Sequence, residues 1–239
     1  MMNADKNRAK HAFQMLAGLI LGLLVQGCAT PVPSDPQYSV IDDRNLPAAD
    51  FTASIPGLSP CTNARDSRIS LNSQQPVVVI VHGCFGSAAL FRALGEVFAF
   101  HGQQAVCFNY NDRDSLTQSS SELIESLELL AEKLPNQKIT LMGHSQGGLI
   151  SRNAMIQERE EPLSAEMQLS LVTISSPFSG IAAANHCGSR SIRWLSLGLV
   201  PAICRLVSGS KWYEITYASD FINQPGQLIE QVDRHLKIV

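Results

Sequence analysis

Lys138-Ile139-Thr140-Leu141-Met142-Gly143-His144-Ser145-Gln146-Gly147-Gly148 decides the fold. Its first five residues read as a strand, and the segment from Gly147 to about Ile156 reads as a helix. Between them lies a G-x-S-x-G pentapeptide, Gly143 to Gly147. Alone the pattern is weak; in a strand-to-helix turn it is the nucleophile elbow, which throws a serine Oγ above a sheet. Small residues two before and two after the serine are needed because the strand and helix backbones almost touch there. The helix N-terminus behind Ser145 favours a developing negative charge.

The surroundings repeat the same rhythm. Pro76-Val77-Val78-Val79-Ile80-Val81 is a β-branched run suited to a strand buried on both faces. Leu90, Leu94, Val97 and Phe98 then fall at helical spacing, with Gly102 as a stop. Ala105 to Phe108 predicts a second strand. Leu123, Leu127, Leu130 and Leu134 predict a helix, with Ser119 and Glu122 as a capping box and Pro135 closing it. Lys138 to Met142 is the third strand and Leu169 to Ile174 the fourth. Leu236 to Val239 looks like a fifth. Alternating strands and helices imply a mainly parallel sheet with crossover helices.

His82-Gly83-Cys84-Phe85-Gly86 follows directly on the Val77–Val81 strand. Together with Gly143-His144-Ser145-Gln146-Gly147-Gly148 and Ile174-Ser175-Ser176-Pro177-Phe178-Ser179-Gly180, it resembles the α/β-hydrolase superfamily on its lipase and esterase side. The resemblance covers about residues 76–182. It implies hydrolysis of acyl or lipid esters through an acyl-enzyme on Ser145. It also implies an oxyanion hole from the backbone amides of Cys84 and Gln146. His82 and His144 occupy positions that this superfamily uses structurally.

The superfamily places its acid and then its histidine after Ser145 in the chain. Downstream histidines are His186 and His235, and the best ordered pair is Asp220 with His235. Two readings stand: Asp220 and His235 complete an atypical triad, or the C-terminal strands with the acid and base are absent because the product is truncated. His186 is a third arrangement.

The ends of the chain read differently. Residues 1–27 join a basic start (Lys6, Arg8, Lys10) to an apolar run from Ala12 to Val25, as a secretory signal does. Leu24-Val25-Gln26-Gly27-Cys28 resembles a bacterial lipobox, with lipid expected on Cys28. Ala29 in place of an Asp favours the outer membrane, with the domain facing the periplasm. Residues 28–60, rich in proline, read as a tether, and 61–239 as the domain. Export places Cys61, Cys84, Cys107, Cys187 and Cys204 in an oxidising space, and the odd count leaves at least one out; Cys187 with Cys204 is a plausible local bridge. Within 186–212, the apolar stretch Trp194 to Ile203 reads as a lid or cap helix over a pocket, with plain core as the alternative.

The whole chain has 239 residues, 45% apolar and 16% charged, with a net charge of −3. That usage excludes disorder and coiled coil, and its acidity gives no footing for nucleic acid. No CxxC pair or His/Cys cluster suggests a metal, and no Gly-rich phosphate loop or dinucleotide fingerprint implies a cofactor. The competing functions are a non-catalytic envelope lipoprotein on a hydrolase scaffold, and an acyltransferase or thioesterase with the same nucleophile.

Overall fold

The structure, a computed structural model, describes residues 45–62, 66–156, 163 and 166–239. The signal, the lipobox and Cys28 lie outside the described residues. β1 (Phe51–Ala53), β2 (Leu58–Ser59) and β3 (Ile69–Leu71) precede β4 (Val77–Val81), the centre of the sheet. α1 (Arg92–Phe100) leads to β5 (Gln104–Phe108), α2 (Leu116–Ala131) to β6 (Lys138–His144), and α3 (Gln146–Ala154) to β7 (Gln168–Ile174). Four short helices follow: α4 (Asn185–Gly188), α5 (Arg190–Leu195), α6 (Leu199–Ser208) and α7 (Asp220–Asn223). β8 (Val232–Ile238) closes the element order.

The main sheet has the order β2-β5-β4-β6-β7-β8, parallel throughout except for β2, which runs antiparallel to β5. β1 and β3 pair separately, antiparallel. All five residues of β4 are buried, and alternation explains why. Val77, Val79 and Val81 join the core beneath α2 and α3, while Val78 and Ile80 join a smaller cluster with Ala88, Cys107, Phe91, Leu94 and Phe98 beneath α1. A strand clad on both faces has no room for polar alternation. The α2 side is led by Leu116, Leu123, Leu127, Leu130 and Leu134, each at most 1% exposed. Each such side chain contributes about 1.5–3 kcal/mol on burial.

Three expectations need correcting. The tether does not extend to residue 60: Leu58 is buried and pairs with Phe108, and Ile55 is buried too. Prolines there flank two-residue and three-residue strands, so the composition of a linker conceals sheet edges. The cap of α2 is Ser115, whose side chain accepts from the Gln118 amide at 3.1 Å; Ser119 lies buried one turn inside. Leu116 starts the apolar stripe about two turns earlier than the leucine repeat suggests. The last strand begins at Val232, which puts His235 in its middle rather than before it.

Among the described residues two disulfides brace the fold, Cys61–Cys107 and Cys187–Cys204. The first ties the segment after β2 to β5, and the second joins α4 to α6.

Candidate active site

Ser145 stands between the end of β6 and the start of α3 with φ 53° and ψ −123°. That positive φ is uncommon for a residue with a Cβ and is held only where the surroundings over-determine it. Its amide donates to the Ile174 carbonyl at 2.8 Å, which locks the turn to β7. A Cβ on Gly143 would fall 2.5 Å from the Gly147 carbonyl oxygen, and one on Gly147 would fall 2.2 Å from the Val81 carbonyl oxygen. Glycine at both places is therefore a packing requirement of the elbow, as the sequence predicts.

The loop after β4 lies against this serine. A Cβ on Gly83 would meet the Ser145 Cβ at 3.0 Å. Gly83 to Gly86 form a tight turn, with the Gly86 amide donating to the Gly83 carbonyl at 3.1 Å. Cys84 and Phe85 are its corner residues, and Phe85 has φ 54°. Gln146 is 1% exposed and opens α3, where a helix leaves its first amides without intrahelical acceptors. Gln146 directly follows Ser145, and Cys84 is the chain neighbour of Gly83, which packs against the serine.

Tyr110, which sequence reasoning missed, fastens the two halves. Its hydroxyl donates to the His82 carbonyl at 2.8 Å, its ring stacks on His82 at 4.3 Å, and the Gln146 side-chain amide donates to its oxygen at 3.4 Å. Burial pushes the Tyr110 phenol well up, so it remains a donor. Burial also pushes the His82 imidazole down, and its Nδ1 sits 2.9 Å from the Gly83 carbonyl oxygen. His82 is thus structural, as expected. His144 is exposed and meets Phe91 edge-on.

Among the described residues neither the expected acid nor the expected base bonds to Ser145. His235 pairs in register with Leu171, three residues below the Ile238 level at which β7 meets the serine. At about 3.3 Å per residue and 4.8 Å per strand, it sits about 10 Å down the sheet and two strands across. Its Nε2 is 2.9 Å from Thr173 Oγ1, and its ring meets Phe178 edge-on. Its pKa is lowered by burial first, then by Lys237 and Arg152. Asp220 begins α7, exposed, accepting from the Gln224 side chain at 3.3 Å. No hydrogen bond or ion pair joins Asp220 to His235. His186 lies exposed on α4. Among the described residues no imidazole or carboxylate bonds to Ser145 Oγ.

The lid-like segment 186–212 resolves into α4, α5 and α6, stapled by Cys187–Cys204. Trp194, Leu195, Leu197 and Leu206 are 76–94% exposed. The Arg113 guanidinium donates to the Leu206 and Val207 carbonyls, and the Ser210 amide donates to the Arg113 carbonyl. The segment's end is thereby fixed to the loop that follows β5. A cavity of about 140 Å³ lies elsewhere, beneath α3, lined by Arg152, Phe178, Phe221 and Lys237 among others.

The sheet order, crossover helices and elbow define an α/β-hydrolase fold. A family model of the alpha/beta hydrolase fold matches residues 76–186. Among solved structures the chain is similar to Bacillus licheniformis lipase BlEst2 in its mature form, at TM-score 0.50 and 17% identity, over 77% of this chain and 69% of that one. It is similar also to the propeptide form of that lipase, at TM-score 0.53 and 16% identity, over 78% of this chain and 38% of that one. At these identities the likeness establishes the fold. No curated protein matches the sequence.

Proposed function

We propose that this chain is a serine hydrolase of carboxylic esters, acyl or lipid, with Ser145 as nucleophile. One observation carries the reading: a non-glycine residue held at φ 53° atop the sheet, with the Gly83 turn packed on its Cβ. Presentation of a nucleophile on a sharp strand-to-helix turn calls for that conformation. Ser145 Oγ attacks the ester carbonyl, the Cys84 and Gln146 amides hold the oxyanion, the alcohol leaves, and water frees the acid from the acyl-enzyme. Each oxyanion donor is worth about 3–4 kcal/mol of barrier. The same nucleophile also serves an acyltransferase or thioesterase, which product analysis with an alcohol acceptor separates from an esterase.

A fluorophosphonate probe tests the nucleophile. Labelling of the folded protein that vanishes in Ser145→Ala supports the reading, and a folded wild type that takes no label refutes it. The second reading is a non-catalytic scaffold. It is favoured by the lack of any described imidazole at Ser145 Oγ, and it predicts no label and no ester turnover.

Residues 1–27 and Cys28 support an envelope lipoprotein, anchored by lipid and facing the periplasm from the outer membrane. Incorporation of labelled palmitate that is lost in Cys28→Ala tests the anchor, and fractionation of the envelope tests the location.

A further inference from the structure

Lys211 is the anomaly of the molecule. It is 1% exposed, a buried ammonium in the turn that follows the apolar helix α6. A buried lysine is tolerated only where partners compensate the lost hydration. Its Nζ lies 3.6 Å from Asp112 Oδ2 and 3.6 Å from Cys84 Sγ, and stands over the Phe85 ring at 5.9 Å from the centroid. All three partners belong to, or touch, the turn that faces Ser145.

Asp112 makes the decisive contact. The same Oδ2 accepts the Phe85 amide at 2.7 Å. Phe85 is the third residue of the Gly83–Gly86 turn and has positive φ, as a type II turn demands there. Type I and type II turns differ by rotation of the central peptide, here Cys84–Phe85. Glycine is the usual occupant of that third position; phenylalanine is strained in it. The carboxylate, by capturing the amide of that peptide, selects the strained rotation over the relaxed one. The ammonium fixes the carboxylate and the Cys84 side chain at once. Gly209 and Ser210, backed against Arg113, hold the lysine at its post.

We propose that Asp112 and Lys211 are positioning residues for the oxyanion hole. They clamp the Gly83–Gly86 turn in the conformation that presents the Cys84 amide to the substrate carbonyl, and they make that geometry depend on the seating of the helical segment to which Lys211 belongs. This rests on Ser145 being an ester-cleaving nucleophile. The clamp itself can be read without any turnover.

The experiment compares wild type with Lys211→Met, Asp112→Asn and the double variant, which removes both charges and leaves no ion buried alone. Amide hydrogen exchange of the peptide spanning 83–86 reports the turn, and p-nitrophenyl ester kinetics on folded, probe-titrated enzyme report the chemistry. The expected result is faster exchange in 83–86, a fall in kcat of about 10- to 100-fold, and KM changed by less than about threefold. A trifluoromethyl ketone inhibitor, which fills the oxyanion hole, should lose affinity in step with kcat. The double variant should fall no further than the worse single one, because both act through one contact. Unchanged exchange in 83–86 overturns the clamp. Faster exchange with kcat, KM and inhibitor affinity intact overturns its role in positioning. If wild type takes no fluorophosphonate, the esterase reading fails, and the exchange measurement still decides whether the clamp exists.

Discussion

Gly147 sits where helix α3 crosses the carboxyl end of β4, and a single methyl there tests the elbow directly. An added Cβ would lie 2.2 Å from the Val81 carbonyl oxygen and 2.4 Å from that of His82. Since Cβ atoms essentially never come within 3.0 Å of such neighbours, Gly147→Ala forces a displacement of at least about 0.8 Å. Both obstacles are backbone atoms, one of them in the fully buried β4, so neither can swing aside as a side chain would. Overpacking of this kind costs about 1–3 kcal/mol, and more where the backbone cannot yield. The displaced group is the first turn of α3, which carries the Gln146 amide. A misplacement near 1 Å at a reacting centre costs about 100-fold in rate. Urea unfolding followed by circular dichroism, paired with kcat/KM on a p-nitrophenyl ester, reads both effects. A variant with wild-type unfolding midpoint and wild-type kcat/KM would refute the close approach and the elbow argued from it.

Other expectations follow from single contacts. Glu214 accepts the Leu116 amide at 2.5 Å and the Thr117 side-chain hydroxyl at 2.8 Å, so it caps α2 from a distant loop; Glu214→Ala should cost about 0.5–2 kcal/mol in chemical unfolding. The Cys61–Cys107 bridge spans 46 residues, and its loss in a Cys61→Ser, Cys107→Ser double variant should cost up to about 4 kcal/mol, read as a lower thermal midpoint than that of the oxidised wild type. His82 and His235 both have lowered pKa values, burial leading in each case. The unfolded chain therefore binds more protons as pH falls through the ordinary histidine range near 6.5, so stability present above it should decline below it. A series of thermal midpoints from pH 7.5 to 5 checks this, and His235→Gln should flatten part of the slope.

The elbow and its strands were legible because their signals are local. β-branched residues in Val77–Val81 and glycines at fixed distances from Ser145 need no knowledge of the rest of the chain. What escaped depends on partners far away in sequence. Leu58 becomes a strand residue only by meeting Phe108, and a proline-rich setting hides it. Lys211 resembles any cation flanking an apolar helix until Asp112 and Cys84 arrive beside it. His235 was misplaced for a different reason. Asp233, Arg234 and His235 make β8 read as polar up to Leu236, because this strand ends the sheet order and much of it stays in contact with water. A charged strand with one neighbour gives too little apolar alternation to mark where it begins.

The bridge between Cys187 and Cys204 turns the exposed helical segment into a ring. Chain released by unwinding α5, or α6 as far as Cys204, stays inside that ring, so a displacement of the ring would fall on the residues outside it. Its travel is confined to the two stems that leave it, one running back through Ala184 and the other forward to Gly209 against Arg113. Reduction would open the ring and let α5 and α6 unwind into one longer loop between the same two stems.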